Sequence, residues 1–167
     1  MKNKYNIPAL IIDDTVLLTR KTENQKSYLI RNYYNQIIPN LYLGDLNKAL
    51  DSQKEFDIII NLSGYDYFPL APTKIYTFDI DDHSSSDIIE PINLFLPIID
   101  EGLSLNKKIL VHCLMGLSRS PSIIVAYLMK KNSWSFDEAV KFVNSKRTHP
   151  ININFGFTHK LNKFNSD

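Results

Sequence analysis

The residues most able to do chemistry lie together in His112-Cys113-Leu114-Met115-Gly116-Leu117-Ser118-Arg119-Ser120. A thiol, a guanidinium, two hydroxyls and an imidazole surround one glycine. The apolar run Lys108–His112 before them reads as a short buried strand, and the stretch from Ser120 onward (SPSIIVAYLMKK) reads as a helix. A strand, a tight loop and a helix N-terminus form an architecture that favours an anion. Successive backbone N–H groups curl into a nest, to which the helix dipole adds positive potential. Gly116 gives the loop access to positive φ. The field that draws in a phosphate also stabilises a thiolate at Cys113, whose pKa is expected below the free-thiol value of about 8.5. Arg119 can hold two phosphoryl oxygens at once, which a lysine cannot. Ser120 can donate a hydrogen bond to the sulfur and help it leave. His112 is expected to orient the loop through hydrogen bonds. The backbone from Leu114 through Met115, Gly116, Leu117 and Ser118 to Arg119 is the expected phosphate cradle. A lone cysteine is ordinarily a buried structural residue, but the neighbours at these spacings favour a nucleophile.

The rest of the chain supplies elements that could present such a loop. Ile37, Ile38, Leu41, Tyr42 and Leu43 suggest two strand pieces broken at Pro39-Asn40. Asp45 is placed to cap a short helix through Leu46, Ala49 and Leu50. Phe56–Leu62 (FDIIINL) is a nearly continuous apolar run of the kind that forms a central strand. Ile75–Ile80 reads as another strand, and Asp81–Asp87 as a loop. Ile88–Leu105 has helical periodicity, with Pro91 tolerable in its first turn and Pro97 expected to kink or divide it. Phe136–Lys146 is an amphipathic helix opening on Ser135 and Glu138 in capping-box spacing. Phe155–Phe164 is a last helix. Strands alternating with helices imply an α/β sheet with helices on both faces. The first thirty-odd residues read equally as helix, strand or extended arm.

His-Cys, five residues, Arg and Ser together resemble the signature of the protein tyrosine phosphatase superfamily, and the string HCLMGLSRSPSIIVAYLM is similar to the dual-specificity phosphatases. The resemblance runs from about Ile37 to Leu161. IIPNLYLGDLNKAL is similar to the family's entry segment. Ile60-Asn61-Leu62 resembles the end of its central strand. ININFGF resembles the segment before its last helix, with Asn154 in the place of an asparagine that supports the active-site loops and Ile153 where a proline is usual. The resemblance implies a single α/β domain with a central, twisted, mostly parallel sheet flanked by helices and a strand–P-loop–helix active site. It implies a boundary between an N-terminal arm, residues 1–34, and a catalytic domain, residues 35–167. It also implies a general acid in the loop Asp79–Asp87, at Asp82 by alignment, with Asp81 in reserve.

The reaction implied is metal-free and cofactor-free. Cys113 attacks phosphorus in line while Asp82 protonates the leaving oxygen. The loop amides and Arg119 stabilise the equatorial oxygens. Asp82 then activates water to hydrolyse the cysteinyl-phosphate, with Ser120 assisting the thiolate's departure. Catalytic residues are thus expected at Cys113, Arg119, Asp82 and Ser120, with His112, Asn61 and Asn154 in support. The expected substrate is a phosphorylated protein, carrying phosphotyrosine or phosphoserine/phosphothreonine. Alternatives are a phosphoprotein-binding module on the same fold and a phosphatase for phosphoinositide or RNA 5′-phosphate. Leu114, Met115, Leu117 and Ser118 occupy positions where relatives handling inositol lipids tend to carry lysines. Lys146 and Arg147 are a possible secondary phosphate-binding spot or a solvated helix end.

Composition narrows the partners. The 167 residues suit one domain, and a formal net charge of +1 argues against a whole-chain electrostatic partner such as duplex nucleic acid. The one cysteine excludes an internal disulfide and suits a reducing compartment, so the expected location is intracellular, cytoplasmic or nuclear. The apolar run Ile7–Leu18 is broken by Asp13 and Asp14 and is too short to span a bilayer. No membrane association is expected, and the expected state is a monomer or weak homodimer. His83, His149 and His159 show no metal-ligand spacing.

Overall fold

The computed structural model describes residues 9–12, 15–18 and 34–164. Near the N-terminus, strands β1 (Ala9–Ile12) and β2 (Thr15–Leu18) pair antiparallel, Ile12 opposite Thr15. Of the three readings of this region, strand holds for these eight residues; the rest of the arm lies outside the described residues.

The main sheet comprises β3 (Tyr34–Ile38), β4 (Leu41–Gly44), β5 (Ile58–Asn61), β6 (Lys74–Thr77) and β7 (Ile109–His112). Their spatial order is β3-β4-β7-β5-β6. Only the β3–β4 pair is antiparallel, joined through Asn40, which takes the left-handed conformation at φ 64°. The other three pairings are parallel. β7 lies at the centre with both faces covered, so all four of its residues are buried and it carries no polar alternation until His112. β6 stops at Thr77 rather than Ile80, because its neighbour β5 ends at Asn61 and the last bond between them runs from the Phe78 N–H to the Asn61 carbonyl.

Side-chain alternation splits the core across the sheet. Ile59 and Leu110 face the short helix α1 (Leu46–Asp51), packing with Ala49 and Phe56. Ile60, Ile109 and Val111 face four helices: α2 (Ile89–Ser104), α3 (Arg119–Asn132), α4 (Phe136–Lys146) and α5 (Phe155–Phe164). Helices therefore cover both faces, unequally. α3 lies deepest, with Ser120 through Met129 buried without interruption.

The local chemistry explains the helix ends. The Asp45 side chain accepts the Lys48 N–H at the start of α1. The capping box between Ser135 and Glu138 is complete in both directions. α2 runs undivided through Pro97. Asn93, whose carbonyl loses its helical donor there, is exposed along with Pro97, so water can replace the missing N–H.

The register brings Gly44, His112, Asn61 and Thr77 into line at the carboxyl edge of the parallel strands. In open α/β sheets that edge is where ligands bind.

Candidate active site

The loop from β7 to α3 leaves this edge. Its outer side is held by His112 and by groups from elsewhere in the chain. The Cys113 carbonyl lies 3.1 Å from His112 Nδ1, and the Leu114 carbonyl accepts the Leu46 N–H. The Gly116 carbonyl accepts Arg147 Nη2 at 2.9 Å, and the Leu117 carbonyl accepts the Asn152 N–H at 2.7 Å. A trans peptide points its C=O and the following N–H in opposite directions. Four carbonyls drawn outward therefore turn the amides of Leu114, Met115, Leu117 and Ser118 toward the concave side. Gly116 is needed at the apex: its φ is 66°, and a Cβ there would lie 2.6 Å from the Gly44 carbonyl oxygen.

Cys113 lies at the base of the loop, buried, and the Ser120 hydroxyl donates to its Sγ at 3.2 Å. Burial alone would push the thiol's pKa up. The Arg119 charge, the Ser120 hydroxyl and the amides of Ser120 and Gly116 outweigh it, and the pKa falls below the ordinary thiol value. Arg119 donates from Nη1 to the Ile80 carbonyl at 3.2 Å. Its Nε is buried and has no hydrogen-bond partner among the described residues. A buried unpaired donor is costly, and a phosphoryl oxygen at the cradle would satisfy it.

His112 is fully buried, and its pKa is lowered to about 4, first by desolvation. The neutral ring donates from Nδ1 to the Cys113 carbonyl and accepts at Nε2 from the Tyr67 hydroxyl, 2.6 Å away. Burial pushes the Tyr67 pKa well up, which keeps that hydroxyl protonated. The hydrogen-bond network thus assigns the tautomer.

Asp82 is tied to the same loop. Its Oδ1 accepts the Ser118 hydroxyl at 2.7 Å and the Asn154 side-chain amide at 2.7 Å. Asn154 also accepts the Phe157 N–H and donates its own N–H to Ser118 Oγ, so one asparagine links α5, the cradle and the acidic loop. α5 grips that loop twice more. Lys160 bonds the Ser86 carbonyl and Asp87, and Gly156 packs so closely on the Ser84 backbone that no Cβ would fit. Ile153, in place of the usual proline, leaves these contacts intact.

The sequence-derived candidates thus fall into four groups. Cys113, Ser120, Arg119, Ser118, Asp82, His112 and Asn154 converge on one loop. Leu114 and Leu117 are partly buried and Met115 is exposed at its rim. Asn61 is fully buried beside His112 in the sheet; its side chain bonds Ser63 and Tyr65 and shapes the turn that leads to Tyr67. Arg147 is corrected: it is neither a secondary phosphate site nor solvated, but is buried behind the cradle with Nη1 on the Leu43 carbonyl and Nη2 on that of Gly116. Tyr67 was not singled out from the sequence; an isolated tyrosine distant in the chain from its histidine partner gives no local signal.

Sheet, loop and helix together define the cysteine-based phosphatase class. The family model for the dual specificity phosphatase catalytic domain matches residues 41–167. Protein 123R of Invertebrate iridescent virus 6, assigned by name to the tyrosine phosphatases, is 35% identical over 130 residues, covering 77% of this chain and 89% of its own. Human dual specificity protein phosphatase 16 is 35% identical over 134 residues, covering 75% of this chain and 20% of that protein. Among solved structures, the human tyrosine phosphatase-like serine/threonine/tyrosine-interacting protein superposes with a TM-score of 0.73 at 27% identity, covering 81% of this chain and 97% of that one. The chain belongs to the dual specificity phosphatase family, and the curated relatives it matches are named as protein phosphatases. It spans most of the viral relative and a fifth of the length of the human one. Among the described residues, no helix is long and apolar enough to cross a membrane.

Proposed function

We propose that the chain hydrolyses phosphotyrosine and phosphoserine/phosphothreonine in proteins through a cysteinyl-phosphate on Cys113. In this reading, the thiolate attacks phosphorus in line as Asp82 protonates the departing oxygen. The inward amides and Arg119 hold the equatorial oxygens. The ionised Asp82 then takes a proton from water as it attacks the phosphocysteine, and Ser120 donates to the sulfur as it leaves. The observation that carries the reading is the pairing, in one loop, of a buried unpaired guanidinium nitrogen with a thiol whose pKa its surroundings lower. Asp82 is preferred to Asp81 because its carboxylate bonds Ser118 and Asn154, which tie it to the cradle.

A binding-only role is the second reading, favoured by the likeness to a protein whose title calls it phosphatase-like and interacting. Phosphate release from a phosphopeptide separates the two. A panel of phosphotyrosine and phosphothreonine peptides, phosphoinositides and 5′-triphosphate RNA tests the substrate class. Turnover of both peptide types above the other two supports the proposal; preference for lipid or RNA overturns it. Leu114, Met115 and Leu117 make the rim apolar rather than lysine-rich, which favours a singly phosphorylated side chain over a polyanion.

A further inference from the structure

Arg147 caps the C-terminus of α4 and is 8% exposed. Its guanidinium spans two elements. Nη1 donates to the Leu43 carbonyl of β4 at 3.0 Å, and Nη2 donates to the Gly116 carbonyl at the apex of the loop at 2.9 Å. We infer that Arg147 is a positioning residue for phosphate: by holding the Gly116 carbonyl outward against β4, it aims the Leu117 amide into the cradle. The inference rests on the phosphatase reading of that loop.

The two peptides that meet at Gly116 do different work. The Met115–Gly116 peptide presents the Gly116 N–H to the Cys113 sulfur, where it favours the thiolate. The Gly116–Leu117 peptide presents its carbonyl to Arg147 and, because it is planar, turns the Leu117 N–H the other way. Gly116 permits this division: a Cβ would press on the Gly44 carbonyl at 2.6 Å and stand 3.4 Å from Nη2. Loop, strand and guanidinium are thus in close contact behind the cradle. A lysine would supply the charge but not a rigid fork reaching two carbonyls. Sulfur ionisation and phosphate grip are therefore separable, and Arg147 serves the second.

The test is Arg147→Met and Arg147→Lys, measured beside the wild type by aryl phosphate kinetics, inhibition by inorganic phosphate and the pH dependence of Cys113 alkylation by iodoacetamide. Cys113 is the one cysteine in the chain, so alkylation reports it alone. Arg147→Met is expected to lower kcat/KM by about 10- to 100-fold, less than the 10²–10³ for outright removal of an oxyanion donor. Phosphate inhibition should weaken with it, while the alkylation midpoint stays in place. Arg147→Lys should recover less than half of the logarithmic loss. A folded Arg147→Met protein within twofold of wild type overturns the inference. So does full rescue by lysine, or an alkylation midpoint that rises in step with the lost activity. If Arg147→Met does not fold, Arg147→Lys decides by the same readouts. A wild-type protein that binds phosphate but releases none from the ester refutes the proposed function, and phosphate binding by Arg147→Lys still tests the brace.

Discussion

Replacing Ser120 with alanine should slow the second half of the reaction more than the first. The Ser120 hydroxyl is fully buried and donates to Cys113 Sγ at 3.2 Å, so water cannot readily replace it. A hydrogen bond to a charged group contributes about 1.5–3 kcal/mol, which corresponds to about 10- to 150-fold in a rate where the bond forms only as charge develops. Arg119 and the amides of Ser120 and Gly116 still stabilise the sulfur in the variant, which places the expected loss toward the lower end. Attack on the substrate starts from a thiolate and ends with a neutral thioester-like sulfur, so losing the donor makes the nucleophile no weaker once ionised. Hydrolysis of the intermediate runs the other way and must regenerate the thiolate. The variant should therefore show a stopped-flow burst of aryl alcohol equal to the enzyme present, followed by a steady state about 10-fold or more below wild type. Its alkylation profile should move toward the ordinary thiol range. A Ser120→Ala protein with no burst, an unchanged steady state and an unchanged alkylation profile would refute this account of the sulfur.

Two further outcomes follow from the same geometry. Asp82→Asn should lower kcat by about 10²–10⁴ on phosphopeptides and less on aryl esters with acidic leaving groups, since general-acid help matters most for a poor leaving group; Asp81→Asn should stay near wild type, and the reverse pattern would move the acid to Asp81. His112 has a folded-state pKa lowered from 6.5 to about 4, so between those values the unfolded chain binds the extra proton and stability falls as pH falls. The contribution is complete above about pH 6.5 and amounts to about 3 kcal/mol across the window; chemical denaturation from pH 7 to pH 4 should show that slope, and His112→Gln should flatten it.

The cradle was legible because its chemistry lies in nine contiguous residues whose types make sense only together. α4 was legible because a capping box and an amphipathic stripe are local signals. Other features depend on contacts that no local pattern records. Tyr67 meets His112 across 45 positions, and Arg147 meets Gly116 across 31. A C-terminal arginine on an amphipathic helix looks solvated until the fold brings two buried carbonyls to it. The end of β6 is hidden for a related reason: Phe78 and Ile80 flank Asp79 in the alternation of a strand, but β5 offers no partner beyond Asn61. Pro97 conceals continuity rather than an ending, because a proline on the solvent side of a helix leaves its orphan carbonyl to water.

Rapid-quench mass spectrometry of the enzyme during turnover of a phosphopeptide tests the central claim most directly. The account predicts one phosphoryl group, carried on the peptide containing Cys113 and enriched in Ser120→Ala. Phosphate released at the full rate with no modified Cys113, and turnover retained by Cys113→Ser, would contradict it.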